Sequence, residues 1–290
     1  MLPIFTRNSV SKISKSCKVL RFSSAVPKTE NELSRLKREK LKKEISEFRY
    51  VYPEFLPDPK VEFRNQIREK LERSDMIARR TQVDIPEFYV GSILAVTSSD
   101  KHNPGKSHRF VGICIYRGGC GLRANFILRN VIDHQGIEVM YEMYDPSLQK
   151  VEILRLEKRL DDELFYLRDA LPEYSTFDPN MEAELIPEGS LVPVNPIKVK
   201  LKPKPWLERW ERKNLQGVQD LELPEKFYKR AAELAKPWEK YDLMKEYMRT
   251  IPEEEQTEIF SEIQSKLQKL DVDRKKSKRK RVFVKPTKLA

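Results

Sequence analysis

A chain of 290 residues is long enough for one or two packed domains, but 35% charged against 39% hydrophobic residues, with 9 glycines and 19 prolines, implies a modest core carrying long polar extensions. No apolar run approaches the roughly 20 residues that carry a helix across a bilayer, so a membrane span is excluded and a soluble protein expected. The net charge of +11 belongs to the ends, since residues 1–28 hold six Lys/Arg and residues 274–290 hold nine, neither with an acid, which leaves 41 cations against 45 acids between them.

The first segment, "MLPIFTRNSVSKISKSCKVLRFSSA", is basic, serine-rich and free of acids, with scattered hydrophobic residues, as in a mitochondrial transit peptide; its other reading is a plain basic arm. Residues 1–25 are therefore set outside the fold, with a mature start expected near Ser23. Residues 26–84 read as a helical N-terminal extension. In Glu30 to Arg49, Leu33, Leu36, Leu41, Ile45 and Phe48 recur at helical spacing among opposite charges, and prolines in "YPEFLPDPK" end that helix. A second charged helix is expected over residues 61–80, with Val61, Ile67, Leu71 and Ile77 on its apolar side.

Between residues 85 and 170 the texture changes to short runs of Val, Ile, Phe and Tyr separated by Gly, Pro, Asn and Asp, the pattern of antiparallel strands. Strands are expected at Ser92–Thr97, His108–Tyr116, Arg123–Val131, Gly136–Tyr144 and Lys150–Leu156. Five short strands suit a small barrel or roll, because closure hides sheet edges. The fold class expected is a mainly β core, an SH3-like small barrel, with α-helical N- and C-terminal extensions.

The stretch "RGGCGLRANFILR" at 117–129 admits three readings. A phosphate loop needs GxxxxGK[ST] and a following helix, which are missing. A zinc site would draw on Cys114, Cys120, His102, His108 and His134, none of them in a CxxC or HxxxH arrangement, so no metal is expected. With Cys17 the cysteines number three, too few for a disulfide framework, and free thiols in a reducing compartment are expected. A hairpin turn accounts for more, since Gly118, Gly119 and Gly121 can take positive φ between two strand-like runs. Period-two alternation then puts Leu122, Ala124, Phe126 and Leu128 on a core face, with Arg123, Asn125, Ile127 and Arg129 opposite. Arg117, Arg123 and Arg129 can thus project to one side, either to grip successive phosphates or simply to keep the edge soluble.

Residues 171–205 are proline-rich and should form an extended strap. Residues 206–273 read as a helical C-terminal extension, with helices at "PWLERWERK", "PEKFYKRAAELAKPWEKYDLMKEYMR" and "PEEEQTEIFSEIQSKLQKL". Phe227, Leu234, Trp238, Tyr241 and Met244 offer a face for other proteins or for the chain's own C-terminal part. Residues 274–290 form a basic tail expected to stay disordered until it meets polyanion.

Taken together, "IPEFYVGSILAV", "RFVGICIYRGGCGLRANFILRN", "YDPSLQKVEILRL" and "LFYLR" resemble, in order and spacing, the bacterial-type ribosomal protein L-nineteen family, over about 80 residues. The resemblance implies an SH3-like barrel in a large ribosomal subunit, contacting rRNA and neighbouring ribosomal proteins near the face that meets the small subunit. With the transit peptide it implies the mitochondrial ribosome, in the matrix. Arg117, Gly121, Leu122, Phe126, Arg129, Tyr166 and Arg168 match motif positions. Candidate RNA contacts are Arg109, Arg117, Arg123, Arg129, Arg155 and Arg168 on the barrel and Lys275, Lys276, Lys278, Arg279, Lys280 and Arg281 on the tail. One departure is "LEKRLDDELFYLR", with Asp161, Asp162 and Glu163 where the family is basic, so that this edge is expected to face protein or solvent.

No nucleophile elbow, cofactor fingerprint or paired metal motif is present, so neither an enzyme nor a cofactor nor a small-molecule substrate is expected. Two functions remain open: a structural ribosomal protein, or a free-standing mitochondrial RNA-binding or assembly factor using the same barrel.

Overall fold

The computed structural model describes residues 52–282 apart from 101, 104, 188 and 189. The expected transit peptide, the helix expected at 30–49 and the last eight residues of the tail lie outside the described residues. At the centre is a five-stranded antiparallel sheet in the order β4-β3-β2-β1-β5, built from β1 (Ile93–Ser99), β2 (Ser107–Gly118), β3 (Asn125–Ile132), β4 (Gln135–Glu142) and β5 (Leu148–Arg155). All five expected strands form, each within a few residues of its expected limits. The sheet is open in its hydrogen bonding, with β4 and β5 as its two edges.

The β3–β4 hairpin turns on two residues, Asp133 and His134, both at positive φ (49° and 64°) between the paired Ile132 and Gln135. Two successive left-handed residues match the twist of a two-residue hairpin. His134 is therefore an exposed turn residue.

Both faces of the sheet are covered, which is why β1 begins with four consecutive buried residues instead of an alternation. Leu94 and Val96 join Cys114, Ala124, Phe126, Leu128, Tyr144 and Val151 in one core. Ile93 and Ala95 pack with Val111 and Leu154 on the other face, against Phe177 and Met181. A neighbouring cluster places Ile113 and Ile115 with Leu164, Tyr166, Val199 and Trp210. The segment after residue 171 thus crosses the second face. It is fastened there by Asn130, whose amide donates to Val111 O (2.8 Å) and Phe177 O (3.1 Å) and accepts from Phe177 N.

Helix α1 (Gln66–Gln82) starts at Asn65, whose side chain accepts from the amides of Ile67 and Arg68. Its buried side is Met76, Arg80 and Glu69, whereas Val61 and Ile67 are 84% and 74% exposed and Leu71 is exposed as well. The stripe expected to be apolar is therefore mostly the solvent side. An ion pair made by Arg80, described below, fixes the helix rotation in favour of Met76.

C-terminal helices are α2 (Glu225–Leu234), α3 (Leu243–Arg249) and α4 (Glu253–Val282). The expected helix at 205–213 is only one short turn, Trp210–Arg212, and Pro237 interrupts the expected 224–249 helix. Ile259 and Ile263 of α4 enter the core beside Phe55 and Met76, so this helix is part of the fold. Its basic end continues as helix to Val282 instead of staying without structure. Lys and Arg are good helix formers, Glu253, Glu254 and Glu255 complement the dipole at the other end, and the next proline is Pro286.

Candidate nucleic-acid interface

Strand β2 leads into the glycine turn. Gly119 (φ +81°) and Gly121 (φ +61°) adopt left-handed backbone, while Gly118 simply ends the strand. A Cβ on Gly119 would lie 2.6 Å from Arg123 O, and one on Gly121 would run into the Glu72 carboxylate of α1. The turn is a hairpin connection clamped under a helix. Residues Gly121–Arg123 form a short helical turn before β3, so Arg123 stands exposed on the loop and its direction is set by that turn and not by strand alternation.

Arg117 has a different environment. Its guanidinium donates to Phe88 O (2.6 Å) and Glu54 Oε2 (2.9 Å) and lies 4.5 Å from the Phe88 ring. Glu54, only 2% exposed, also accepts from Arg80 (2.6 Å), which in turn reaches Ile85 O and the Tyr144 hydroxyl. One buried carboxylate thus joins the 52–56 segment, α1 and the hairpin. Burial pushes the Tyr144 hydroxyl well above its ordinary value, against the pull of Arg80.

Arg129 and Arg168 come together on a second carboxylate, Glu138 of β4. Arg129 Nη1 donates to Glu138 Oε1 at 2.6 Å; Arg168 forms a two-point contact, Nε to Oε1 at 2.9 Å and Nη2 to Oε2 at 2.7 Å. Burial alone would raise the Glu138 carboxyl, but the bonds from Arg168 and Arg129 outweigh it and hold it below the ordinary range. Arg129 is nearly buried, and its Nε has no hydrogen-bond partner.

The other candidates are more open. Arg109 donates to Pro179 O, and Arg155 to Glu184 at 3.0 Å. Lys275, Lys276, Lys278 and Arg279 are exposed along α4, while Lys280 and Arg281 share its helical backbone. Arg274, the first cation of that run, is turned inward to Asp84 (2.5 Å) and to Arg80 O, tying α4 to the end of α1. Arg117, Arg123 and Arg129 therefore do not form one outward row.

Sequence reasoning missed Glu54 and Glu138, because isolated acids far apart in the chain carry no local signal. The acidic edge is also resolved. Asp161 accepts from the amides of Gln216 and Gly217, both at 2.8 Å, inside the chain, while Asp162 and Glu163 are exposed. Cys114 is buried in the core, its thiol pushed up to about 12 by burial, as expected for an inert packing residue. Among the described residues no cluster of three or more His, Cys, Asp or Glu side chains is gathered as a metal ion requires, and no helix is long and apolar enough to cross a membrane.

These features define a small antiparallel β protein with helical extensions, most of whose core arginines are paired with carboxylates of the same chain. The family profile of ribosomal protein L19 matches residues 66–175. A Drosophila melanogaster protein, large ribosomal subunit protein bL19m, is 68% identical over 245 residues, covering 84% of this chain and 80% of its own length. A Malacoplasma penetrans relative, large ribosomal subunit protein bL19, is 31% identical over 93 residues, or 32% of this chain and 64% of its own length. The spinach protein bL19c is 28% identical over 93 residues, covering 32% of this chain and 40% of the spinach protein. The chain belongs to the ribosomal protein L19 family.

Proposed function

We propose that this chain is a structural constituent of the mitochondrial large ribosomal subunit, in the matrix, and supports mitochondrial translation without catalysis of its own. The observation that carries this reading is the 68% identity, over most of both chains, to a protein named as a mitochondrial large-subunit component. The acid-free, basic first 25 residues agree with import. The sheet order and the return of Met143, Tyr144 and Leu148 into the core that β2 and β3 share support an SH3-like roll.

In this reading rRNA is held by Arg123 and Arg168 on the β core, with Arg129 behind Arg168, and by Lys275, Lys276, Lys278 and Arg279 along α4. Arg109 and Arg155 add contacts at the sheet margin. Arg117 acts through position, keeping the hairpin on α1. Leu234, Trp238, Tyr241 and Met244, all exposed on the α2–α3 segment, face neighbouring ribosomal proteins. The small subunit lies across the interface.

The test is sedimentation of mitochondrial lysate at magnesium levels that keep subunits intact. The protein is expected wholly with the large particle; a free pool near the top of the gradient would favour a separate assembly factor.

A further inference from the structure

Glu138 is held by two arginines at once. It stands on the edge strand β4, and it occupies the entire Nε/Nη2 edge of Arg168, the edge with which an arginine makes its two-point contact to a phosphate. An incoming phosphodiester therefore competes with this carboxylate for the same donors. Both guanidiniums also have supports that do not depend on Glu138. Arg129 lies so close over Gly136 that a Cβ there would sit 2.8 Å from Nη2, and Arg168 rests on the Phe165 ring at 4.8 Å, itself stacked on Tyr116 at 5.6 Å. Of the neighbouring acids, Glu208 pairs with Lys213 at 2.5 Å, and Asp169 is already occupied by the Trp210 indole N–H (2.7 Å) and the Leu207 amide (3.0 Å). If the Glu138 side chain rotates away, two guanidiniums remain in place with a net gain of one positive charge.

We propose that Glu138 is a built-in stand-in for phosphate, which keeps Arg129 and Arg168 aligned and neutralised in the free protein and is displaced by an RNA phosphodiester on binding. The inference rests on the RNA-contacting reading above and adds to it a regulated site. Before assembly the carboxylate discourages stray polyanions; afterwards the arginines are fully engaged.

The experiment is a salt titration of the full chain binding to a fluorescein-labelled RNA stem-loop, followed by anisotropy. Glu138→Gln keeps the side-chain shape and releases the charge. It is expected to bind about fivefold to tenfold tighter, the size of one charge-assisted contact set free. The slope of log affinity against log salt should stay as in the wild type, because the exchange leaves the same phosphate contact in both bound states. Adding Arg168→Gln to that variant should cancel the gain. Equal or weaker binding by Glu138→Gln overturns the proposal. Should that variant melt early, Glu138→Asp decides, since its shorter stem also loosens the clip; a smaller gain supports exchange and no gain rejects it. If the wild-type chain neither binds the stem-loop nor sediments with the large particle, the underlying reading fails. If it does both while Glu138→Gln binds no tighter, only the exchange is lost.

Discussion

The two carboxylates that organise the arginines differ in depth, and depth sets what each does. Glu54 is sealed between Arg80 and Arg117, so removing its charge takes from two buried guanidiniums the carboxylate they share. Glu54→Gln is expected to lower stability by about 3–5 kcal/mol in chemical denaturation. Glu138 is partly solvated, and Glu138→Gln should cost about 1–3 kcal/mol at neutral pH. Its carboxyl is depressed in the folded protein, so its stabilisation is complete above the ordinary glutamate value of 4.5 and is lost as pH falls through the lower folded value. Denaturation curves of wild type and Glu138→Gln should therefore stay apart above 4.5 and converge as the pH falls through the lower folded value. Reversing Arg117, Arg123 and Arg129 together would not isolate RNA contacts, because a glutamate at 117 would face Glu54 and unseat the hairpin. Arg123, exposed on its turn, is the side chain whose reversal reads binding alone.

At the scale of elements, the contact that joins the two ends of the described chain is α4 against α1. Arg64 pairs with Glu255 at one end of the contact and Arg274 with Asp84 at the other, while Ile259 and Ile263 fill the space between, beside Met76. Hydrophobic spacing in the 252–270 segment announced a helix, and the helix forms. Which partner it meets depends on α1 turning Met76 inward and Ile67 outward, a rotation set by the distant Glu54. Ile263, 2% exposed, is the test. Ile263→Ala should cost about 2–5 kcal/mol. It should also raise amide hydrogen exchange in α4 well before exchange in β1–β3 changes.

For the whole molecule, the charge segregation visible in the sequence becomes a geometric one: a folded, nearly balanced body, with Lys275, Lys276, Lys278 and Arg279 exposed along α4. Truncation after Arg274, which spares the docking residue and removes 275–290, should weaken but not abolish association with the large particle. The loss should be largest at low salt and shrink as salt rises, with the slope of log affinity falling by about 0.7–0.9 per phosphate contact removed. Gradients run at two salt concentrations read this directly; complete loss at low salt would assign the tail a structural role.

The five strands, the hairpin at the glycines and the cationic ends were legible residue by residue, because alternation, left-handed turns and charge runs are short-range properties that neighbours in sequence impose on one another. The family resemblance rested on the same local order. The rotation of α1, the covering of the second sheet face by the segment after residue 171, and the pairing of each arginine were decided only in three dimensions. Those outcomes depend on meetings such as Glu54 with Arg117 and Glu138 with Arg168, across 63 and 30 residues, and a carboxylate selects its guanidinium by where folding brings it, which no local pattern encodes.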